Sequence, residues 1–492
     1  MDIAAKQSVE NMSVRELIDL QAENNGAAPY LIDPQSGEHL NFLQLQRTCF
    51  SVARFIEDKG INKGDSVAFA MHNGLTCAVT ILGIMYGGYR AVAVNLVAGR
   101  DVIAYVLDHS ESSLILTQSE QTTLINEALN CDAFESGSTK PVVHVIEQYP
   151  IVDEPGTNVT ANRSTLPDAH DDALLMYTSG TTGRPKGVVL SHSNVIAGGC
   201  NVGLGHELQS RDRALCVLPL YHINGLCVTL FGPLVTAGSV VIPQRFSTTA
   251  FWQWVDDHQC TWFSVVPTQI AYLLRDAEEP KHRPVLRFGR SALTETAAQI
   301  LSNPMPPGIR KLGSPGIPVG DEARVVDSKL KDLPRGEEGE LLIRGNNVMQ
   351  RYFKNEVATE EALIQDRWLR TGDLARMDED GYLFITGRLK ELIIKGGENI
   401  APREIDDALY QHADVIEAAA FACPCSDFGQ RVEAAVTLKK TSALSETELL
   451  QLCLDRVGTF KCPDRIHFLA ELPKGPSGKI QRQKLFDLLT SS

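Results

Sequence analysis

Tyr177-Thr178-Ser179-Gly180-Thr181-Thr182-Gly183-Arg184-Pro185-Lys186-Gly187 stands between two apolar runs, Ala173 to Met176 and Val188 to Leu190. Short apolar runs bounded by Gly, Pro and hydroxyl residues read as buried strands, so the stretch is a loop joining two of them. Three glycines, four Ser or Thr hydroxyls and Lys186 can present many N–H and O–H donors and a cation to a polyphosphate. The loop is not of the G-x-x-x-x-G-K-[ST] type, because Lys186 follows Pro185 and precedes Gly187. That excludes the simplest kinase or NTPase reading.

Outward from the loop the same α/β texture continues. Upstream, Leu45 to Lys59 has helical periodicity, Gly60 closes it, and Ser66 to Met71 is an apolar strand. A helix from about Thr76 to Tyr86 then leads into a strand from Arg90 to Asn95. Helices alternating with buried strands predict a parallel sheet. Gln118 to His170 is more polar and reads as surface connections. A second α/β stretch runs from about Leu174 to Ile270, and Gly336 to Gly387 breaks into short strands. The last hundred or so residues read as a small α+β domain. Its helices are expected at Arg403 to Gln411 and Glu446 to Val457, its strands at Val415 to Ala422 and Val432 to Leu438. The expected fold class is α/β: a large N-terminal domain (1–388) of two α/β sheet subdomains and a β-rich subdomain, then a small C-terminal domain (389–492).

The 492 residues carry a formal net charge of −15 and 43% hydrophobic content, as in a soluble globular protein of two or more domains. An acidic surface repels polyphosphates, which argues against nucleic acid as a partner and requires any nucleotide site to be a local cluster of donors and cations. The 11 cysteines are scattered without zinc-ligand spacing, as expected of reduced, packed thiols. Met1 to Glu10 lacks the pattern of a signal peptide, and Leu489 to Ser492 is no address signal. The most apolar long window, Ala78 to Leu96, contains Gly83, Gly87, Gly88 and Arg90, so it reads as a buried helix running into a strand. A cytoplasmic protein without a membrane span is expected, with a homodimer as the assembly to test.

Further segments fall in a fixed order after the loop. They are Gly339-Glu340 with Arg344-Gly345 and Val348-Met349, then Thr371-Gly372-Asp373, Gly387-Arg388-Leu389-Lys390-Glu391 and Pro473-Lys474-Gly475-Pro476-Ser477-Gly478-Lys479-Ile480. With the loop, they resemble the acyl-adenylate-forming superfamily along most of the chain. That group includes acyl-CoA synthetases, carrier-protein adenylation domains and firefly luciferase. The resemblance implies ATP-dependent activation of a carboxylic acid, with Mg²⁺, and passage of the acyl group to coenzyme A.

It also implies residue roles. Thr178, Ser179, Gly180, Thr181, Thr182, Gly183 and Lys186 would grip the phosphates, Thr294 the AMP phosphate, and Glu295 the Mg²⁺ ion. A Glu beside hydroxyls is ordinarily a solvated residue, so Glu295 depends on the resemblance. Asp373 would accept both ribose hydroxyls, as one carboxylate can, and Arg388 would reach ribose or phosphate. Lys479 would stabilise the adenylation transition state, with Lys186 and Thr294 also catalytic. Lys390 would be the hinge about which the small domain swings, bringing Gly396 and Gly397 to line a pantetheine tunnel.

Leu218-Pro219-Leu220-Tyr221-His222-Ile223-Asn224-Gly225-Leu226 matches the segment whose His borders the acyl pocket. Gly238 to Pro243 and Trp262 to Thr268 most resemble the oxalyl-CoA synthetase-like branch, which includes sulfoacetate ligases. Asn224, Ser264, Thr268 and Ser291 suit a small polar acid better than a fatty chain. Where the oxalate-type pattern has a His this chain has Ala298, which points to a slightly larger anion such as sulfoacetate.

One piece departs from the pattern. Leu286 to Ala292 should continue through a turn, a helix and a strand ending in an aromatic-Gly-x-Thr-Glu motif, yet Ala292 is followed at once by Leu293-Thr294-Glu295. A helix of ~11 residues, a strand of ~5 and their loops are missing, roughly two dozen residues. They would form an internal layer of the second sheet. Three readings stay open: an impaired deletion, a compact variant and a nucleotide-binding pseudoenzyme. Among enzymes, adenylation of medium-chain, long-chain or aryl acids and loading of a carrier protein are the alternatives.

Overall fold

The computed structural model describes residues 6, 8–134, 139–149, 166–178, 184–266, 269–270, 272–273, 286, 288–290, 295–297, 300–439, 442–474 and 480–490. The chain forms two compact units. The first comprises Met1–Arg310, Pro318–Glu322 and Ile343–Leu369; the second comprises Lys311–Ile317, Ala323–Leu342 and Arg370–Ser492.

In the first unit, a seven-stranded sheet has the order Arg351–Tyr352, Lys186–Ser191, Asp172–Thr178, Arg90–Ala93, Ser66–Ala70, Ser112–Thr117 and Val142–Val145. The last five are parallel, and the first two run antiparallel to their neighbours. Ser66–Ala70 is buried along its whole length, as strands covered on both faces must be. Helix Leu75–Tyr86 is apolar nearly all round and almost wholly buried, in keeping with the expected helix-into-strand window. Gln118 to His170 is more structured than expected. It contains helix Ser119–Leu129, whose Ile125, Ala128 and Leu129 join the core, and the edge strand Val142–Val145. The polar outer face of that helix concealed it in the sequence.

A six-stranded sheet has the order Phe288–Arg290, Trp262–Ser264, Arg213–Cys216, Ser239–Val241, Pro29–Ile32 and His39–Asn41. Phe288–Arg290 closes it at one edge, among the described residues. The strands inward of it keep both partners.

Local capping sets the helices of this unit. Ser13 with Glu16, Asn41 with Gln44 and Ser191 with Asn194 form reciprocal capping boxes that start helices Val14–Asn25, Phe42–Asp58 and His192–Gly205. The first of these helices lies in a region for which no element was expected.

In the second unit, Trp368–Met377 pairs antiparallel with Leu383–Arg388. The C-terminal part is α+β as expected, with Val415–Cys425 and Gly429–Leu438 forming a long antiparallel pair. Arg465–Phe468 runs parallel to the latter. Helices Pro402–Leu409 and Glu446–Lys461 pack Ile405, Leu409 and Leu449 against Ala420, Val432 and Val436.

His192 links the fold to pH. It is fully buried at the start of its helix, and its Nδ1 accepts the Val14 N–H at 3.2 Å. Burial pushes its pKa from 6.5 down to about 4. Between those values the unfolded chain binds the extra proton and the folded one does not, so stability falls as pH drops from 6.5 toward 4. A shift of this size corresponds to at most about 3 kcal/mol. Urea denaturation should show a shallower pH slope in His192→Asn than in the parent over this window; equal slopes would remove His192 as the cause.

Candidate active site

The phosphate-loop hairpin is anchored at its base. Thr178 and Lys186 are opposite each other in the antiparallel pair, and the Thr178 hydroxyl reaches the Lys186 carbonyl at 3.5 Å. Ser179, Gly180, Thr181, Thr182 and Gly183 lie outside the described residues. Arg184 stands over the Tyr105 ring at 5.4 Å, and Lys186 over the Tyr352 ring at 4.9 Å. With His109, Phe353 and Asn355 they line an open cleft of about 320 Å³. Cations resting on rings keep their charge for an incoming anion.

Residues 346–353 clasp this hairpin to a second arm. The Phe353 N–H donates to the Gly187 carbonyl at 2.7 Å and the Gln350 N–H to the Val189 carbonyl at 2.9 Å. From the same segment the Met349 N–H donates to the Glu295 carbonyl at 3.0 Å, and Asn347 Nδ2 to the Thr296 carbonyl at 2.8 Å. Glu295 is half-buried, whereas Thr296 and Ala297 are fully buried. Thr294 lies outside the described residues.

In the acid-pocket candidates, Ser264 and Asn224 come together across 40 positions: the buried Ser264 hydroxyl donates to Asn224 Oδ1 at 2.7 Å. That bond orients the Asn224 amide. Asn224 opens a π-helical stretch, Asn224–Phe231, a rare geometry that often accompanies functional sites. The preceding loop is held by Asn73, whose amide donates to the Leu218 carbonyl at 2.8 Å while its Oδ1 accepts the Leu220 N–H at 2.9 Å. His222 sits on that loop, its N–H bonded to the Pro219 carbonyl at 3.0 Å and its ring edge-on to Tyr221. Ser291, Ala298 and Thr268 lie outside the described residues.

In the second unit, Asp373 and Arg388 are cross-strand partners, with Arg388 Nε donating to Asp373 Oδ1 at 2.6 Å. Lys390 lies in a 3₁₀ turn, Leu389–Glu391. Gly396 and Gly397, at φ of 58° and 87°, form the two-residue turn between Ile393–Lys395 and Glu398–Ile400. Two positive φ values in succession favour glycine there. Lys479 lies outside the described residues. Its flanks are joined by a Lys474–Ile480 bridge and by the Gln481 N–H on the Pro473 carbonyl at 2.8 Å. Arg482 pairs with Asp406 and with Glu391, beside Lys390.

Comparison with known proteins identifies the family. The model of the AMP-binding enzyme family matches residues 18–293 and 291–353, and that of the AMP-binding enzyme C-terminal domain matches 404–479. The chain belongs to the AMP-binding enzyme family. Among AMP-binding enzymes it is 43% identical to a sulfoacetate–CoA ligase of Cupriavidus necator, over 96% of this chain and 97% of that one. It is 33% identical to an oxalate–CoA ligase of Arabidopsis thaliana, over 88% of this chain and 90% of the other. The crystal structure of ATP-bound MatB from Rhodopseudomonas palustris superposes with a TM-score of 0.86 at 26% identity, covering 97% of this chain and 100% of that one.

The two family-model stretches meet at 291–293, where the sequence is shortened. The alignment with the sulfoacetate–CoA ligase spans 496 positions, more than the 492 residues of this chain. Since 96% of the chain is only about 472 residues, about two dozen positions of that relative have no counterpart here.

Asn73, Asn347 and Asp321 were not singled out by the sequence. Asn347 lies inside the recognised block from Gly339 to Met349, so a buried amide between two motif pairs was the available signal. Ser264→Ala strips Asn224 of a buried partner and should cost about 1–3 kcal/mol in urea denaturation. It should also raise the KM for the acid more than that for ATP; an equal rise in both would separate this pair from the acid pocket.

Proposed function

We propose that this chain is an AMP-forming acid–CoA ligase for a small polar carboxylic acid, with sulfoacetate preferred over oxalate. The observation carrying this reading is the 43% identity to a sulfoacetate–CoA ligase over nearly the whole of both chains. The polar Asn224–Ser264 pair supports it, since a fatty-acid tunnel requires apolar walls.

The acid carboxylate attacks the α-phosphorus of ATP. The new C–O–P bond forms as the bond to the β-phosphate oxygen breaks, and pyrophosphate leaves. The CoA thiolate then attacks the acyl carbon and AMP departs. The first step brings two anions together, so its barrier is lowered by neutralising charge and holding the partners in line. Lys186 and the phosphate-loop residues Thr178 to Gly183 take the phosphates, and Thr294 takes the AMP phosphate. Asp373, oriented by Arg388, accepts the ribose hydroxyls. Lys479 neutralises charge in the adenylation transition state. His222, Asn224, Ser264, Ser291 and Ala298 border the acid.

Glu295 suits Mg²⁺, which is commonly held by one or two carboxylates plus substrate phosphates. Among the described residues no cluster of three or more His, Cys, Asp or Glu forms a protein-only metal cage. When bound, the ion supplies charge neutralisation on phosphate oxygens. The domain boundary is placed at 388/389, with Lys390 as the hinge and Gly396-Gly397 turned toward pantetheine in the thioester step. Among the described residues no helix is long and apolar enough to cross a membrane; a cytoplasmic location is part of the proposal. A homodimer is the assembly to test.

A second reading, a nucleotide-binding pseudoenzyme, is favoured by one feature, the shortened stretch at Ala292-Leu293. A pyrophosphate-release screen over sulfoacetate, oxalate, malonate, aryl and fatty acids separates the two. Sulfoacetate should give the highest kcat/KM, with AMP release dependent on CoA and not on a carrier protein. Tight ATP binding without pyrophosphate release for any acid would establish the second reading instead. Lys479→Ala should abolish adenylation and spare thioester formation from supplied acyl-adenylate; equal loss of both half-reactions would contradict its role.

A further inference from the structure

The turn at 295–297 follows the shortened junction, yet its contacts come from the opposite direction. Asn347 Nδ2 gives one hydrogen to the Thr296 carbonyl at 2.8 Å and the other to Asp321 Oδ2 at 2.9 Å. Asp321 Oδ1 accepts from Asn201 Nδ2 at 3.0 Å, and Asn201 Oδ1 accepts from Lys6 Nζ at 2.9 Å. Lys6 pairs with Glu10 at 3.1 Å, and Glu10 Oε2 accepts from Asn346 Nδ2 at 3.1 Å. The chain of bonds thus starts on Asn347 and returns to its neighbour Asn346, closing a ring around the segment that grips Glu295.

The ring is tightly enclosed. A Cβ at Gly320 would lie 1.9 Å from Asn201 Oδ1, and one at Gly345 would lie 2.1 Å from Asp321 Oδ1. Helix His192–Gly205, which carries Asn201, also approaches the turn at Gly198, where a Cβ would come within 2.3 Å of the Ala297 carbonyl oxygen. Burial pushes the Asp321 carboxyl up to about 7, against the pull of both amides and Lys6. Enclosing a carboxyl at such cost is reasonable where it fixes a geometry.

We propose that Asn347, oriented by Asp321, is a positioning residue that aims Glu295 at the nucleotide-bound metal, so that the metal side of the site does not depend on the missing helix and strand. The proposal rests on the reading of Glu295 as the metal carboxylate. A carboxylate held only by an edge loop would swing over several rotamers; one whose own and next carbonyls are both pinned has a fixed backbone origin. Outer-shell groups of this kind govern metal affinity without touching the metal.

Mn²⁺ binding to the protein–ATP complex, followed by electron paramagnetic resonance, tests this without turnover. Asn347→Ala and Asp321→Ala should each weaken Mn²⁺ binding by roughly ten-fold, while ATP binding without metal stays at the parent value. The Mg²⁺ concentration for half-maximal pyrophosphate exchange should rise by a similar factor. Thioester formation from supplied acyl-adenylate should persist in Asn347→Ala, which shows that the variant is folded. Glu295→Gln should weaken Mn²⁺ in the same way, and adding Asn347→Ala to it should have little further effect. Parent-like Mn²⁺ affinity in Asn347→Ala beside a weakened Glu295→Gln would overturn the positioning role alone. Parent-like affinity in Glu295→Gln would overturn the reading of Glu295 itself. Equal loss of metal-free ATP binding and of Mn²⁺ binding in Asn347→Ala would reduce the ring to a structural role.

Discussion

Backbone hydrogen bonding along residues 346–353 sets the distance between the two halves of the candidate site that lie in the first unit. On one side, Gln350 and Phe353 donate to the strand that carries Lys186; on the other, Met349 donates to Glu295. The partners are main-chain groups, whose hydrogen bonds are obligatory once water is excluded. The spacing between the strand of Lys186 and the carboxylate turn is therefore held by the backbone and not by side-chain rotamers. Strand Arg351–Tyr352 is only two residues long, but it is the closing strand of the seven-stranded sheet on that side and so inherits the sheet's rigidity.

Electrostatics sort the basic residues near this clasp into two kinds. Arg90 and Arg351 both pair with Asp172, at 3.0 and 2.7 Å, tying its strand to the adjacent Arg90–Ala93 and, across Lys186–Ser191, to Arg351–Tyr352. Arg184 and Lys186 instead rest on tyrosine rings. In a chain of net charge −15, attraction for a polyphosphate has to be local, and a ring supports a cation without cancelling it. The cleft lined by Arg184 and Lys186 carries that positive charge.

The shortened stretch directly follows strand Phe288–Arg290 in the chain. Phe288–Arg290 ends the six-stranded sheet among the described residues, so loss of a neighbour exposes one ladder of backbone groups and leaves Trp262–Ser264 paired on both sides. Ser264, and through it Asn224, stay in a fully paired part of the sheet. The turn that resumes after the junction is carried by helix His192–Gly205 and by Asn347. The acid side and the metal side thus each have support that does not pass through the junction.

Much of this was legible in the chain itself. Glycine and hydroxyl chemistry between two apolar runs announced the hairpin of Asp172–Thr178 and Lys186–Ser191, and the order of later motifs announced the Asp373–Arg388 region and the C-terminal α+β part, because these are short-range patterns. Helix Ser119–Leu129 was hidden by its polar face, and the edge position of Phe288–Arg290 by the fact that strand order is not a local property. The ring through Lys6, Glu10, Asn201, Asp321 and Asn347 was out of reach for the same reason: Asn346 and Glu10 are 336 positions apart, and no periodicity relates them. Sequence by itself determined which chemistry the chain can carry, since that resides in residue types at close spacing. Tertiary structure alone decided which distant amides and carboxylates hold that chemistry in place, since a buried polar group takes whichever partner the packing brings to it.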